Sequence, residues 1–158
     1  EMISRTNEIK LDGACITHGD FHPENIFVRG TSITVIDFEQ SGIAEPASDL
    51  GYLLGEIDVQ ADRYWHRRGR RSPLDIERTS EAMLDAYFRK CDGNALERIP
   101  FYWARTYLEH LIHTVRMKGT EDPQSVTLWL DKAEACLQDL RPTFFRGIRE
   151  FQRNPAIR

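Results

Sequence analysis

Apolar residues fall in short β-branched and aromatic runs early in the chain and, from about residue 49 onward, at helical spacing. The sequence therefore divides into a strand-bearing first third and a helical remainder. Ile26-Phe27-Val28 and Ile33-Thr34-Val35-Ile36 are joined by the polar, Gly-containing connection Arg29-Gly30-Thr31-Ser32, a pattern that predicts a β-hairpin. Helical spacing runs from about Asp49 to Tyr64, from Asp75 to Lys90 and from Pro100 to Met117. Asp92-Gly93 and Lys118-Gly119 supply stop signals for the second and third of these segments. A fourth helix is expected after Asp122-Pro123, and a short fifth after Arg141-Pro142. No repeat or low-complexity linker interrupts the pattern. The expectation is one domain over residues 1–158, α+β and predominantly α, with a small hairpin packed on a helical bundle.

Composition narrows the partners. With 158 residues, 41% hydrophobic and 29% charged, the chain can bury one core and has the profile of a soluble globular domain. A net charge of -4 argues against a general nucleic-acid binder, which carries a marked basic excess, and makes cationic small molecules the easier partners. Cys15, Cys91 and Cys136 are odd in number and share no metal-type spacing, so reduced thiols and a cytoplasmic location are expected. The sequence has no signal peptide and no apolar run long enough to span a bilayer, so no membrane partner is expected.

The chemistry is concentrated in His18-Gly19-Asp20-Phe21-His22-Pro23-Glu24-Asn25 and, beyond the hairpin, Ile36-Asp37-Phe38-Glu39. A phosphotransferase loop needs an Asp to orient the attacking hydroxyl and receive its proton, and an Asn after four intervening residues to hold Mg²⁺. Asp20 and Asn25 have that spacing. A further carboxylate must reach the cations that bridge the nucleotide phosphates, and Asp37 stands at the head of the segment that supplies it in protein kinases. The hairpin explains how they meet, since folding it carries Asp37 back beside Asn25. One amide oxygen and one carboxylate form a sparse site that Mg²⁺ accepts when phosphates and water complete its octahedron, so the ion arrives mainly with ATP.

These motifs, followed by Pro46-Ala47-Ser48-Asp49-Leu50-Gly51, resemble the aminoglycoside phosphotransferase and choline kinase family, closely over about residues 15–55. The resemblance implies the helical C-terminal lobe of a protein-kinase-like fold. It makes Asp20 the catalytic residue and Asn25 and Asp37 the Mg²⁺ and nucleotide-cofactor ligands, with Asp49 the later Asp that braces the catalytic loop. His18 and His22 are expected to shape that loop by hydrogen bonding. Glu24 stands where the family often has Gly, and Glu39 where protein kinases have Gly, so the switching associated with that Gly is not expected here. The implied activity is transfer of the ATP γ-phosphoryl group to a hydroxyl of a small molecule, aminoglycoside-like or another amino or sugar alcohol. Such transfer also needs a lobe with a Gly-rich loop and a phosphate-pairing Lys. Only residues 1–17 precede His18 and Lys10 is their sole Lys, so the nucleotide-binding N-terminal lobe is expected to lie outside this chain and the isolated chain to be a poor catalyst.

Other readings compete. His18-x-Asp20-x-His22 invites a metal-dependent hydrolase, with His110 and His113 as further ligands at i and i+3 on a predicted helix, although two ordinary helix histidines are the simpler account. A non-catalytic kinase-like binding module would fit the missing lobe but gives no reason to keep Asp20, Asn25 and Asp37. Asp20 as a turn residue, Asn25 as a strand start and Asp49 as a helix first-turn carboxylate are the plainer alternatives. Arg67-Arg68-Gly69-Arg70-Arg71 reads as a solvated basic loop, and Phe101-Tyr102-Trp103 and Trp129 as bundle packing. Glu56, Asp58, Asp62 and Glu109 are carboxylates that could meet the amino groups of a cationic acceptor.

Overall fold

The computed structural model describes residues 14–68, 76–89, 98–118 and 123–138. These residues form strands β1 (Cys15–Thr17), β2 (Ile26–Arg29), β3 (Ser32–Val35) and β4 (Gly42–Ala44), then helices α1 (Pro46–Arg68), α2 (Ile76–Phe88), α3 (Ile99–Lys118) and α4 (Pro123–Leu137). The architecture is α+β and mostly helical, with two small antiparallel sheets, as the sequence pattern implies.

The expected hairpin is β2 and β3, paired from Ile26 opposite Val35 to Arg29 opposite Ser32, which leaves Gly30-Thr31 as a two-residue turn. Gly30 takes φ 60°, the left-handed conformation that a type II′ hairpin turn assigns to its first central residue. The second sheet was not expected. In it β1 and β4 pair antiparallel, Cys15 opposite Ala44, and the Thr17 hydroxyl donates to the Gly42 carbonyl at 3.2 Å. Three residues are too few to show alternation, so this pairing leaves no sequence signature.

Helix α1 begins a turn earlier than the expected Asp49 because Pro46 is pre-shaped for a first helical position, where its missing N–H costs nothing. Ser48 donates from both its amide and its hydroxyl to the Glu45 carbonyl and so closes the entry turn. The helix also runs past Tyr64 to Arg68. The other three helices lie where helical spacing places them, and α4 again starts at a proline. The fifth helix and Gly69 to Arg71 of the basic run fall outside the described residues.

The core sits where α1 and α4 flank α3. Ala47, Leu50 and Leu54 of α1 meet Trp103, Ala104 and Tyr107 of α3, and Trp129, Ala133 and Cys136 close the far side. Gly51 and Gly55 permit the close crossing. A Cβ on Gly51 would stand 2.6 Å from Tyr102 Cβ, and one on Gly55 2.6 Å from Thr106 Cβ. Thr106 is fully buried and cannot swing aside. Gly55→Ala is therefore expected to destabilise the fold by about 1–3 kcal/mol despite Ala's better helix propensity, measurable as a lower urea midpoint. An unchanged midpoint would show that the helices are not packed this closely.

A chain of polar groups crosses the core. Trp103 Nε1 donates to the Tyr107 hydroxyl at 2.8 Å, Tyr107 donates to Asp58, and Lys132 donates to Asp58 at 3.0 Å and to Asp62. The Lys132 ammonium also lies 5.6 Å from the Tyr107 ring centroid and 5.4 Å from that of Trp129. Each buried charge thus has a partner, as burial in low dielectric demands.

Candidate active site

The segment between β1 and β2 is bent into a compact loop by Gly19 and held from both sides. Gly19 adopts φ 83°, and a Cβ there would lie 2.1 Å from the Gln40 carbonyl oxygen, so only Gly fits. From below, the Asp49 carboxylate accepts the His18 amide at 2.7 Å and the Gly19 amide at 3.0 Å, one oxygen to each. Asp49 lies in the first turn of α1, so the carboxylate of that turn serves the loop as well as its helix. Asp49→Ala leaves two loop amides without this acceptor and should cost about 1–3 kcal/mol, read as a lower unfolding midpoint.

His18 ties the loop to the strand that leads into Asp37. Its ring is buried and its Nε2 donates to the Ile36 carbonyl at 2.8 Å, while Nδ1 accepts the Asp20 amide at 3.3 Å. The ring also packs against Phe21 and, at 4.6 Å between centroids, against Phe38. Both ring nitrogens are thereby committed to backbone groups.

Asn25 is buried at the end of a one-turn 3₁₀ helix, Pro23–Asn25. Its Nδ2 donates to the Asp20 carbonyl at 3.0 Å and to His22 Nε2 at 3.1 Å. The carbonyl acceptor fixes the amide orientation, so Oδ1 points elsewhere and has no partner among the described residues. Because His22 Nε2 accepts from Asn25, the Asp20 carboxylate, 3.6 Å from that nitrogen, is not hydrogen-bonded to it. Asn25 is joined to the segment that follows β3 through the Ile36 amide, which donates to the Asn25 carbonyl at 3.1 Å. The next residue, Asp37, has φ 66°, and among the described residues no other non-glycine adopts positive φ. Asp tolerates this region better than most residues, but holding it there still costs energy that the surrounding fold supplies.

Asp20 opens onto a cleft of about 450 Å³ between the loop, the β1/β4 sheet and helices α1 and α3. Helix α1 lines it with Ser48, Asp49 and Tyr52, and α3 with Tyr102, Arg105 and Glu109 at positions i, i+3 and i+7. Arg105 Nε donates to Glu109 at 2.7 Å. The Tyr102 hydroxyl donates to the fully buried Glu45 at 3.1 Å, and Arg98 pairs with Glu45 at 3.0 Å. Burial and the Glu45 charge push the Tyr102 phenol up from its ordinary value.

A model of the phosphotransferase enzyme family matches residues 10–102, which span the loop, the hairpin and the first turn of α3. The chain belongs to this family. The motif resemblance to aminoglycoside phosphotransferases and choline kinases pointed there. No curated protein and no solved structure matches the chain.

The Asn25 Oδ1 and the Asp37 carboxylate are hard donors that suit Mg²⁺. The competing metallohydrolase arrangement fits poorly, because His18 and His22 spend their ring nitrogens on Ile36, Asp20 and Asn25. His110 is bonded to Glu56 and to Arg63, while His113 is exposed, so the pair does not form one site. Among the described residues no group of three or more His, Cys, Asp and Glu is placed to hold a metal ion.

Of the four helical carboxylates that could meet an acceptor, Glu109 alone lines the cleft; Glu56 is taken by His110, and Asp58 and Asp62 by Lys132. The aromatic run also divides, with Trp103 in the core and Tyr102 turned to the cleft. Tyr52 was missed. It sits at helical spacing among apolar residues and reads as core, yet it lines the cleft with Asp20.

Proposed function

We propose that the chain is the catalytic, helical lobe of a protein-kinase-like phosphotransferase that moves the γ-phosphoryl group of ATP to a hydroxyl of a small molecule. One observation carries this reading. Asp20 faces an open cleft while its own carbonyl anchors Asn25, so the proton acceptor and an unpartnered amide oxygen are fixed to each other beside the segment bearing Asp37.

In the proposed reaction the acceptor hydroxyl donates a hydrogen bond to the Asp20 carboxylate, its oxygen attacks the γ-phosphorus in line, and ADP leaves. Asp20 takes the proton late, because a loose transition state leaves the hydroxyl little acidified until the new bond has formed. Asp49, through the His18 and Gly19 amides, keeps Asp20 in place for this. Asn25 and Asp37 would hold Mg²⁺, which when bound offsets negative charge on the phosphates. A nucleotide-covering lobe with a Gly-rich loop and a Lys would complete the site in a cytoplasmic enzyme supplied with ATP. The exposed Ile16, Ile43, Phe27, Val28 and Ile33 of the two sheets offer it an apolar face.

The cleft favours an acceptor with amino and hydroxyl groups. Asp20, Asp49 and Glu109 put three carboxylates on its walls against a single cation among the described residues, Arg105, which is paired with Glu109. The test is ³¹P NMR of the complete protein with Mg²⁺-ATP and a panel of aminoglycosides, amino alcohols and sugars. A new phosphomonoester resonance that grows as the γ-phosphate signal falls is the expected result. Release of inorganic phosphate alone across the whole panel would contradict the assignment.

A further inference from the structure

Tyr102 lines the cleft while the next residue, Trp103, fills the core. Two contacts pin it. At its root, α3 crosses α1 so closely that a Cβ on Gly51 would stand 2.6 Å from Tyr102 Cβ. At its tip, the hydroxyl donates to Glu45 Oε2 at 3.1 Å. Glu45 stands between β4 and α1 and is fully buried, with Arg98 Nε 3.0 Å from its other oxygen.

A carboxylate so far from water holds its donor firmly, because losing it leaves a buried charge less well satisfied. Burial and that charge also push the phenol up, so the hydroxyl remains a donor at neutral pH. A tyrosine on a cleft wall can ordinarily change rotamer and turn aside for a ligand. Held at both ends, this one cannot. Its proton is spent on Glu45, so what it offers the cleft is chiefly its ring. Asp20, Asp49 and Glu109 can take the amino and hydroxyl groups of an acceptor, but its carbon skeleton needs apolar surface. Tyr52, another aromatic on the walls, sets its ring edge-on to that of His22, 6.3 Å between centroids.

Resting on the phosphotransferase reading, we infer that Tyr102 is an acceptor-specificity residue, a fixed aromatic wall anchored on Glu45 against which the carbon skeleton of the acceptor packs.

The test is steady-state kinetics of the complete protein, wild type beside Tyr102→Phe and Tyr102→Ala, with kanamycin, ethanolamine and glucose as one probe from each acceptor class. Tyr102→Ala removes the wall. It should raise KM about 10–100-fold for the probe that the wild type uses best and change the order of preference among the three, with KM for ATP within about twofold. Tyr102→Phe keeps the ring but frees its tip, and should raise the same acceptor KM about fivefold, the scale of one hydrogen bond. Thermal midpoints measured alongside separate packing from recognition. Lowered midpoints with wild-type acceptor KM in both variants would make Tyr102 structural and overturn the inference. So would a KM for ATP that rises as far as that for the acceptor. If Tyr102→Ala does not fold, Tyr102→Phe decides alone, and a wild-type acceptor KM in it overturns the inference. Inorganic phosphate as the sole product of the wild type with all three probes would instead contradict the phosphotransferase reading itself, whatever Tyr102 does.

Discussion

Asp20→Ala, made in the complete protein, is expected to lower phosphoryl transfer by about 10²–10⁴-fold while leaving affinity for Mg²⁺-ATP within a few-fold. The asymmetry follows from where the carboxylate stands. It lines the cleft, and the Asp20 contact with Asn25 is made by its backbone carbonyl, which Ala retains. The loop should keep its shape too, since His18 and Gly19 are held by Asp49 through main-chain amides. Steady-state kinetics with a separate nucleotide-binding measurement checks both halves. Transfer at the wild-type rate would remove Asp20 from the chemistry, and a collapse of nucleotide binding would make it a ligand instead.

Asp37→Ala should fail differently, by losing productive metal-nucleotide binding, with kcat/KM for ATP down by about a hundredfold or more. Conformation has to be separated from chemistry here, because Asp37 holds φ 66° and Ala resists that region by about 1–2 kcal/mol. Asp37→Asn resolves the ambiguity. Asn tolerates the left-handed region as Asp does, so a comparable loss in Asn identifies the missing charge as the cause. Raising Mg²⁺ should recover part of the loss in the Asn variant. Wild-type nucleotide binding in both variants would place the cation elsewhere.

The parts of this site that could be read from the sequence are the locally encoded ones. A two-residue Gly-containing turn between β-branched runs specifies the β2–β3 hairpin, and that hairpin alone explains how Ile36 comes to bond Asn25 from eleven residues away. Helical spacing with Pro and Gly punctuation located four helices for the same reason. What escaped depends on contacts between distant segments. The β1–β4 pair joins stretches separated by the whole hairpin and is three residues long on each side. Tyr52 presents the same pattern as a core aromatic until α1 is laid against the loop, when its ring meets His22 and it lines the cleft with Asp20. Glu56, Asp58 and Asp62 look like acceptor ligands in a list of charges, but α3 and α4 bring His110 and Lys132 to them. Burial supplies the reason, since carboxylates taken from water in a helical core need partners from neighbouring helices.

Isothermal titration of the complete protein with Mg²⁺-ATP, beside Asp37→Asn and Asp20→Ala, tests the central claim most directly. The arrangement of Asp20, Asn25 and Asp37 predicts binding that is lost with Asp37→Asn and kept with Asp20→Ala. Binding that survives the first substitution, or vanishes with the second, would contradict it.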